Sequence, residues 1–89
     1  MEYTALSNIT TVEEVKDFFH FIVFDLHLEF HPDDAFGDYK KPKTKEPLFT
    51  AEDCETYDRL MAECFAVCDA ADEDIYDLGW EQLEKALTM

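Results

Sequence analysis

TAEDCETYDRLMAECFAVCDAA, residues 50–71, is the stretch whose reading decides the fold. Thr50 is a good helix N-cap, because its hydroxyl can take a hydrogen bond from an unpaired first-turn amide. Asp53 stands in the capping-box position, and Phe49 and Cys54 bracket the cap as a weak hydrophobic staple. Glu52, Asp53 and Glu55 put negative charge at the positive end of the helix dipole. Cys54, Tyr57, Met61, Cys64, Cys68 and Ala71 then recur at spacings of three and four, with Leu60, Phe65 and Val67 widening the stripe. That is the period of a helix with one face turned to a core. Asp58, Arg59, Glu63 and Asp69 fall mostly off it.

Other segments read as partners for that stripe. Thr11 to Glu14 is a capping box. It opens a helix whose broad apolar face is Val12, Val15, Phe18, Phe19, Ile22, Val23 and Leu26. Phe21 and Phe24 lie off this face, so the helix is apolar nearly all round and is either central or covered by a second chain. From Phe24 to His31, apolar and polar residues alternate as in a strand. The reading adopted is helix to about Leu28, then an extended exit. Its rival is an α+β fold with a short hairpin from residues 25–30 and 46–50. Pro32 biases His31 away from helix, Asp33 or Asp34 caps a short turn, and residues 40–47 form a lysine-rich loop.

After Ala71, Asp72 to Asp74 make a turn and cap. A third helix follows, with Tyr76, Trp80, Leu83 and Leu87 as one stripe and Ile75, Leu78 and Ala86 beside it. Gly79 weakens that helix by up to ~1 kcal/mol relative to Ala and is a candidate break. The expectation is therefore an all-α, three-helix domain spanning residues 1–89, with helices at about 11–28, 50–71 and 74–87. Residues 29–49 form an irregular connection. Residues 1–10 are expected to be a partly ordered arm in which Tyr3, Leu6 and Ile9 pack as a flap. The first two helices are expected to pack antiparallel, Val15, Phe19, Ile22 and Leu26 against Tyr57, Met61, Cys64 and Cys68. Trp80 and Leu83 are expected to dock the third helix.

Charge bounds the partners. Twenty-two acids oppose seven bases, a net −15. Direct binding to nucleic acid or to an anionic membrane surface is disfavoured, whereas basic partners are favoured. Eight Phe, four Tyr and one Trp supply the buried area that a chain of 89 residues needs. No run approaches the ~20 apolar residues of a membrane span. Three cysteines, with neither a basic n-region nor an apolar h-region in the first ten residues, lead to the expectation of reduced thiols in the cytoplasm.

Few residues suggest chemistry. His27, His31, Asp33 and Asp34 are the best metal-ligand candidates, since imidazole and carboxylate suit zinc, manganese or iron. Their spacing lacks the His-Glu-x-x-His logic that puts two ligands on one helical face. The plainer reading is polar positions beside a capped turn. Cys54, Cys64 and Cys68 fall within about 80° of one another on a helix, but small buried thiols on an apolar stripe are ordinary core residues. Asp72, Asp74 and Asp77 fail the calcium-loop pattern, which needs Gly at six and Glu at twelve. There is no glycine-rich phosphate loop, and the lone serine, Ser7, has no triad context.

The run Phe30-His31-Pro32-Asp33-Asp34, then Phe36, Asp38 and Tyr39, then Glu46-Pro47 before Thr50, resembles a class of small acidic bacterial proteins of uncharacterised function. The likeness extends into the Thr50 helix and residues 74–76. The resemblance implies a bacterial cytoplasmic domain and brings no activity, cofactor or catalytic residue. Taken together, the expectation is a non-enzymatic interaction or accessory protein without a cofactor. Its protein partner is expected to be basic or a second copy in a homodimer, through Phe21, Phe24 and Trp80. The alternatives are an acidic DNA mimic that inhibits a DNA-binding protein, and a metal-dependent activity at His27, His31 and Asp34.

Overall fold

The computed structural model describes residues 3–88; the part of the expected arm formed by Met1 and Glu2 lies outside the described residues. The fold is all-α. Helix α1 covers Val12–His20, helix α2 Ala51–Ala70 and helix α3 Ile75–Leu87. A π-helical segment, Phe21–Asp25, prolongs α1, and a 3-10 turn covers Phe36–Asp38.

Each helix starts where the capping chemistry placed it. Thr11 Oγ1 accepts from the Glu14 amide at 3.2 Å, and the Glu14 carboxylate accepts in return from the Thr10 amide and hydroxyl. Thr50 Oγ1 accepts from the Asp53 amide at 3.1 Å. Asp74 accepts from the Tyr76 and Asp77 amides. These bonds satisfy donors that a helix start leaves unpaired.

The ends are less orthodox. Asp72 takes a left-handed φ of 57° after α2, with the Glu73 amide donating to the Cys68 carbonyl at 2.8 Å. This is a Schellman-type stop with Asp where Gly is usual. His27 plays the same part after the π-helical segment, at φ 56°, and the Leu28 amide reaches back to the Ile22 carbonyl. The first helical run therefore stops at Asp25 rather than continuing to Leu28. The rival hairpin is corrected too. Among the described residues there is no strand, only an isolated bridge between Lys40 and Pro47. The alternation from Phe24 to His31 reflects a chain that turns left-handed at His27 and then lays Phe30 into the core.

One aromatic core holds the elements together. Phe18, Phe19, Ile22 and Val15 of the first run, Leu60, Cys64 and Cys68 of α2, and Phe36 of the connection are fully buried. α1 packs on both α2 and α3, and α2 also touches α3. Of the expected contact residues between the first two helices, only Leu26 remains half-buried. The connection is pinned from both sides. Phe36 packs on Tyr57 and Phe49, and the Phe36 amide donates to Asp58 Oδ1 at 2.8 Å.

The arm is anchored as well. Tyr3 meets Phe18 and Phe21 edge-on at 5.0 Å, and Ile9 is buried. The lone arginine, Arg59, donates to the Ala5 and Ser7 carbonyls, while Glu63 accepts from the Ile9 amide at 2.7 Å. Leu6, expected in the flap, is 90% exposed.

The docking face of α3 differs from the expected one. Ile75, Leu78, Gly79 and Gln82 face inward, Leu83 is partly buried, and Trp80 is on the surface. Gly79 does not break the helix. A Cβ there would lie 3.5 Å from the Phe30 ring and 3.6 Å from Pro32, so its neighbours press close to the backbone.

Candidate interaction surface

Packing Gly79 of α3 against Phe30 and Pro32 turns Trp80 and Leu87 of the other stripe outward. Trp80 is 56% exposed and Leu87 72% exposed. Between this stripe and the end of the first helical run lies a cleft of about 350 Å³. Val23, Leu28, Trp80, Leu83 and Leu87 make its apolar lining, with His27 and Glu29 at the edge. His27 reaches the cleft because its left-handed backbone turns the chain there. The two devices that shape this wall, a π-helical segment and a left-handed His, are both departures from regular helix. π-bulges are frequent at functional sites.

The rim is acidic. Trp80 Nε1 donates to Glu84 Oε1 at 2.7 Å, which holds the indole against α3 and keeps a carboxylate beside it. Glu29 is exposed on the opposite lip, whereas Glu81, paired with Lys85 at 3.6 Å, stands outside the lining.

Phe21, Phe24 and Trp80 were the sequence candidates for contact with a partner. Trp80 is the one that is exposed. Phe24 is half-buried and stacks on His20 with centroids 4.5 Å apart. Phe21 is buried beneath Tyr3, so it belongs to the core and offers no surface. The arm supplied the cover that a reading of α1 alone could not foresee. Conversely, periodicity put Leu87 in the α3 stripe and Leu28 in the alternating stretch without marking either as a contact residue, because neither reading brings the end of the first helical run beside α3.

The metal candidates separate. His31 lies 3.8 Å from Asp33, which also accepts from the Tyr76 hydroxyl at 2.8 Å. Asp34 accepts from Tyr39, and His27 lies at the cleft. Among the described residues, no three His, Cys, Asp or Glu side chains gather into a group that could hold a metal ion. His31 and Asp33 act locally instead, with His31 Nδ1 taking the Asp33 amide at 3.2 Å.

Burial pushes the Cys64 thiol far up, with the neighbouring Cys68 and Glu63 adding to the shift. Burial raises Cys68 as well, helped by Glu73 and Asp74. A thiol held protonated is a poor nucleophile. Burial likewise pushes the Tyr3 hydroxyl up to about 12, with Asp17 contributing.

No protein-family model, curated protein or solved structure matches the chain. Among the described residues, no helix is long and apolar enough to cross a membrane.

Proposed function

We propose that this chain is a non-enzymatic interaction protein whose docking face is the Trp80 cleft and whose partner is a basic protein. The observation that carries the reading is the exposed Trp80 and Leu87 pair flanking an apolar cleft with an acidic rim. Trp is the side chain most prized at binding hot spots. Covering the exposed half of Trp80 removes roughly 100 Å² of mostly apolar surface, worth about 2 kcal/mol before the costs of association. A net charge of −15 attracts a basic partner to the molecule as a whole and weighs against a second copy of the chain.

Nucleic-acid mimicry is the rival reading, and it draws on charge alone. It leaves the Trp80 stripe without a task. A site-specific photo-crosslinker separates the two. With the crosslinker at Leu87, the same basic protein is expected in each capture, and Trp80→Ala abolishes it. With the crosslinker at Glu52, no such product is expected. A partner captured equally from both sites, indifferent to Trp80→Ala, would support mimicry and contradict docking at the cleft.

A further inference from the structure

We infer that the occupant of the cleft is a basic amphipathic α-helix of the partner, lying along α3. This rests on the reading of the cleft as the docking face and adds the chemistry of what docks.

Backbone hydrogen bonding limits the form of the occupant. One long wall, α3, is helical, so its amides and carbonyls are bonded internally; the facing wall is Val23 and the turn of His27, Leu28 and Glu29, where the Leu28 amide is taken by the Ile22 carbonyl. There is no strand edge to extend among the described residues. An occupant that lies along α3 gains no main-chain partner from that helix and must satisfy its own groups, which a helix does. The anchors agree with this. Trp80, Leu83 and Leu87 are spaced by three and four along α3, giving ridges that a second helix can interlock with.

The choice of basic side chains follows from the rim. Glu29 lines the cleft, Glu84 stands at the Trp80 indole, and the negative end of the α3 dipole lies beside Leu87. A helix carrying leucines on one face and lysines beside them would place apolar residues on Trp80 and bases on the glutamates. A second copy would bring carboxylates to carboxylates.

Trp80 is the lone tryptophan, so its fluorescence reads occupancy of the cleft directly. The probes are three synthetic peptides: Leu/Lys with leucines at helical spacing, the same composition interrupted by prolines, and Leu/Glu at helical spacing. The helical Leu/Lys peptide is expected to blue-shift Trp80 emission saturably. The proline-interrupted peptide is expected to bind at least about tenfold more weakly, and the Leu/Glu peptide not at all. Leu87→Asp is expected to weaken binding by about tenfold, the size of one well-buried anchor. Leu87 is already solvated, so the variant folds. The added charge alone would strengthen a purely electrostatic contact, so the sign of this result is decisive. Equal affinity for the helical and proline-interrupted peptides, both weakened by Leu87→Asp, would overturn the helix and leave the docking face standing. No shift with any peptide, or a helical peptide indifferent to Leu87→Asp, would overturn both. A shift produced by raising protein concentration alone would assign the cleft to a second copy and overturn the basic helix.

Discussion

Two residues carry conflicts that the rest of the molecule absorbs. Gln82 is only 5% exposed, and its Oε1 has no hydrogen-bond partner among the described residues. A buried polar atom left so costs roughly 1–3 kcal/mol. Gln82→Met keeps the volume and removes the amide. It is expected to raise stability by about 1 kcal/mol, read from the urea midpoint; a loss of that size would mean Oε1 is well paired in solution. Glu14 shows the opposite case, a carboxylate whose Oε1 accepts from the Thr10 amide and from the Thr10 and Thr11 hydroxyls. Hydrogen bonds from Thr10 and Thr11 hold its carboxyl below the ordinary glutamate range. Its ionised form is therefore favoured in the folded state. That contribution is complete above the ordinary glutamate pKa and is lost as pH falls through the lowered one. Glu14→Gln is expected to flatten the acid limb of the stability profile in that window, measured as urea midpoints across pH. An unchanged limb would remove the capping box from the account.

At the scale of elements, the starts of the helices were legible and the stops were not. Thr11, Thr50 and Asp74 announce themselves because a side-chain oxygen ahead of an apolar period has a specific task there. His27 and Asp72 do not. The usual stop signal is glycine, and here non-glycine residues accept the left-handed backbone under tertiary constraint. The face of α3 was illegible for a similar reason. Two stripes compete, and composition favours the one with Tyr76, Trp80 and Leu87. Phe30 and Pro32 decide it by packing over Gly79, at a distance where even a Cβ would make ordinary contact. The cleft is a consequence of that choice, which is why Trp80 could be named as a contact residue but not placed. Gly79→Ala tests the packing. The new methyl would sit at 3.5–3.9 Å from its neighbours, ordinary van der Waals contact. Alanine also favours a helix by about 1 kcal/mol over glycine. Thermal or urea unfolding is expected to show a gain of roughly 0.5–1 kcal/mol, whereas a loss would mean that α3 sits closer to Phe30 than described.

For the whole molecule, charge and aromatic area divide the labour. No described Asp or Glu is buried, and all but Glu14 and Glu63 are exposed. The core is built from Phe, Tyr, aliphatic side chains and thiols. A net −15 on so small a body repels itself. Added salt screens exposed charges beyond about 8 Å at physiological ionic strength. Potassium chloride is therefore expected to raise the urea midpoint from low to physiological ionic strength, and a falling midpoint would mean that attractive pairs such as Arg59–Glu63 outweigh the repulsion. The division of labour also explains the cleft. Carboxylates are spread over the outside, and Trp80 and Leu87 beside the cleft are among the large apolar side chains that interrupt them.

That interruption is most directly tested by quenching the fluorescence of Trp80 in the folded protein. The account expects red emission, ready quenching by neutral acrylamide, and stronger quenching by caesium than by iodide because Glu84 stands at the indole. Blue emission resistant to acrylamide would put Trp80 in the core and contradict the docking face of α3, the cleft and the function built on it.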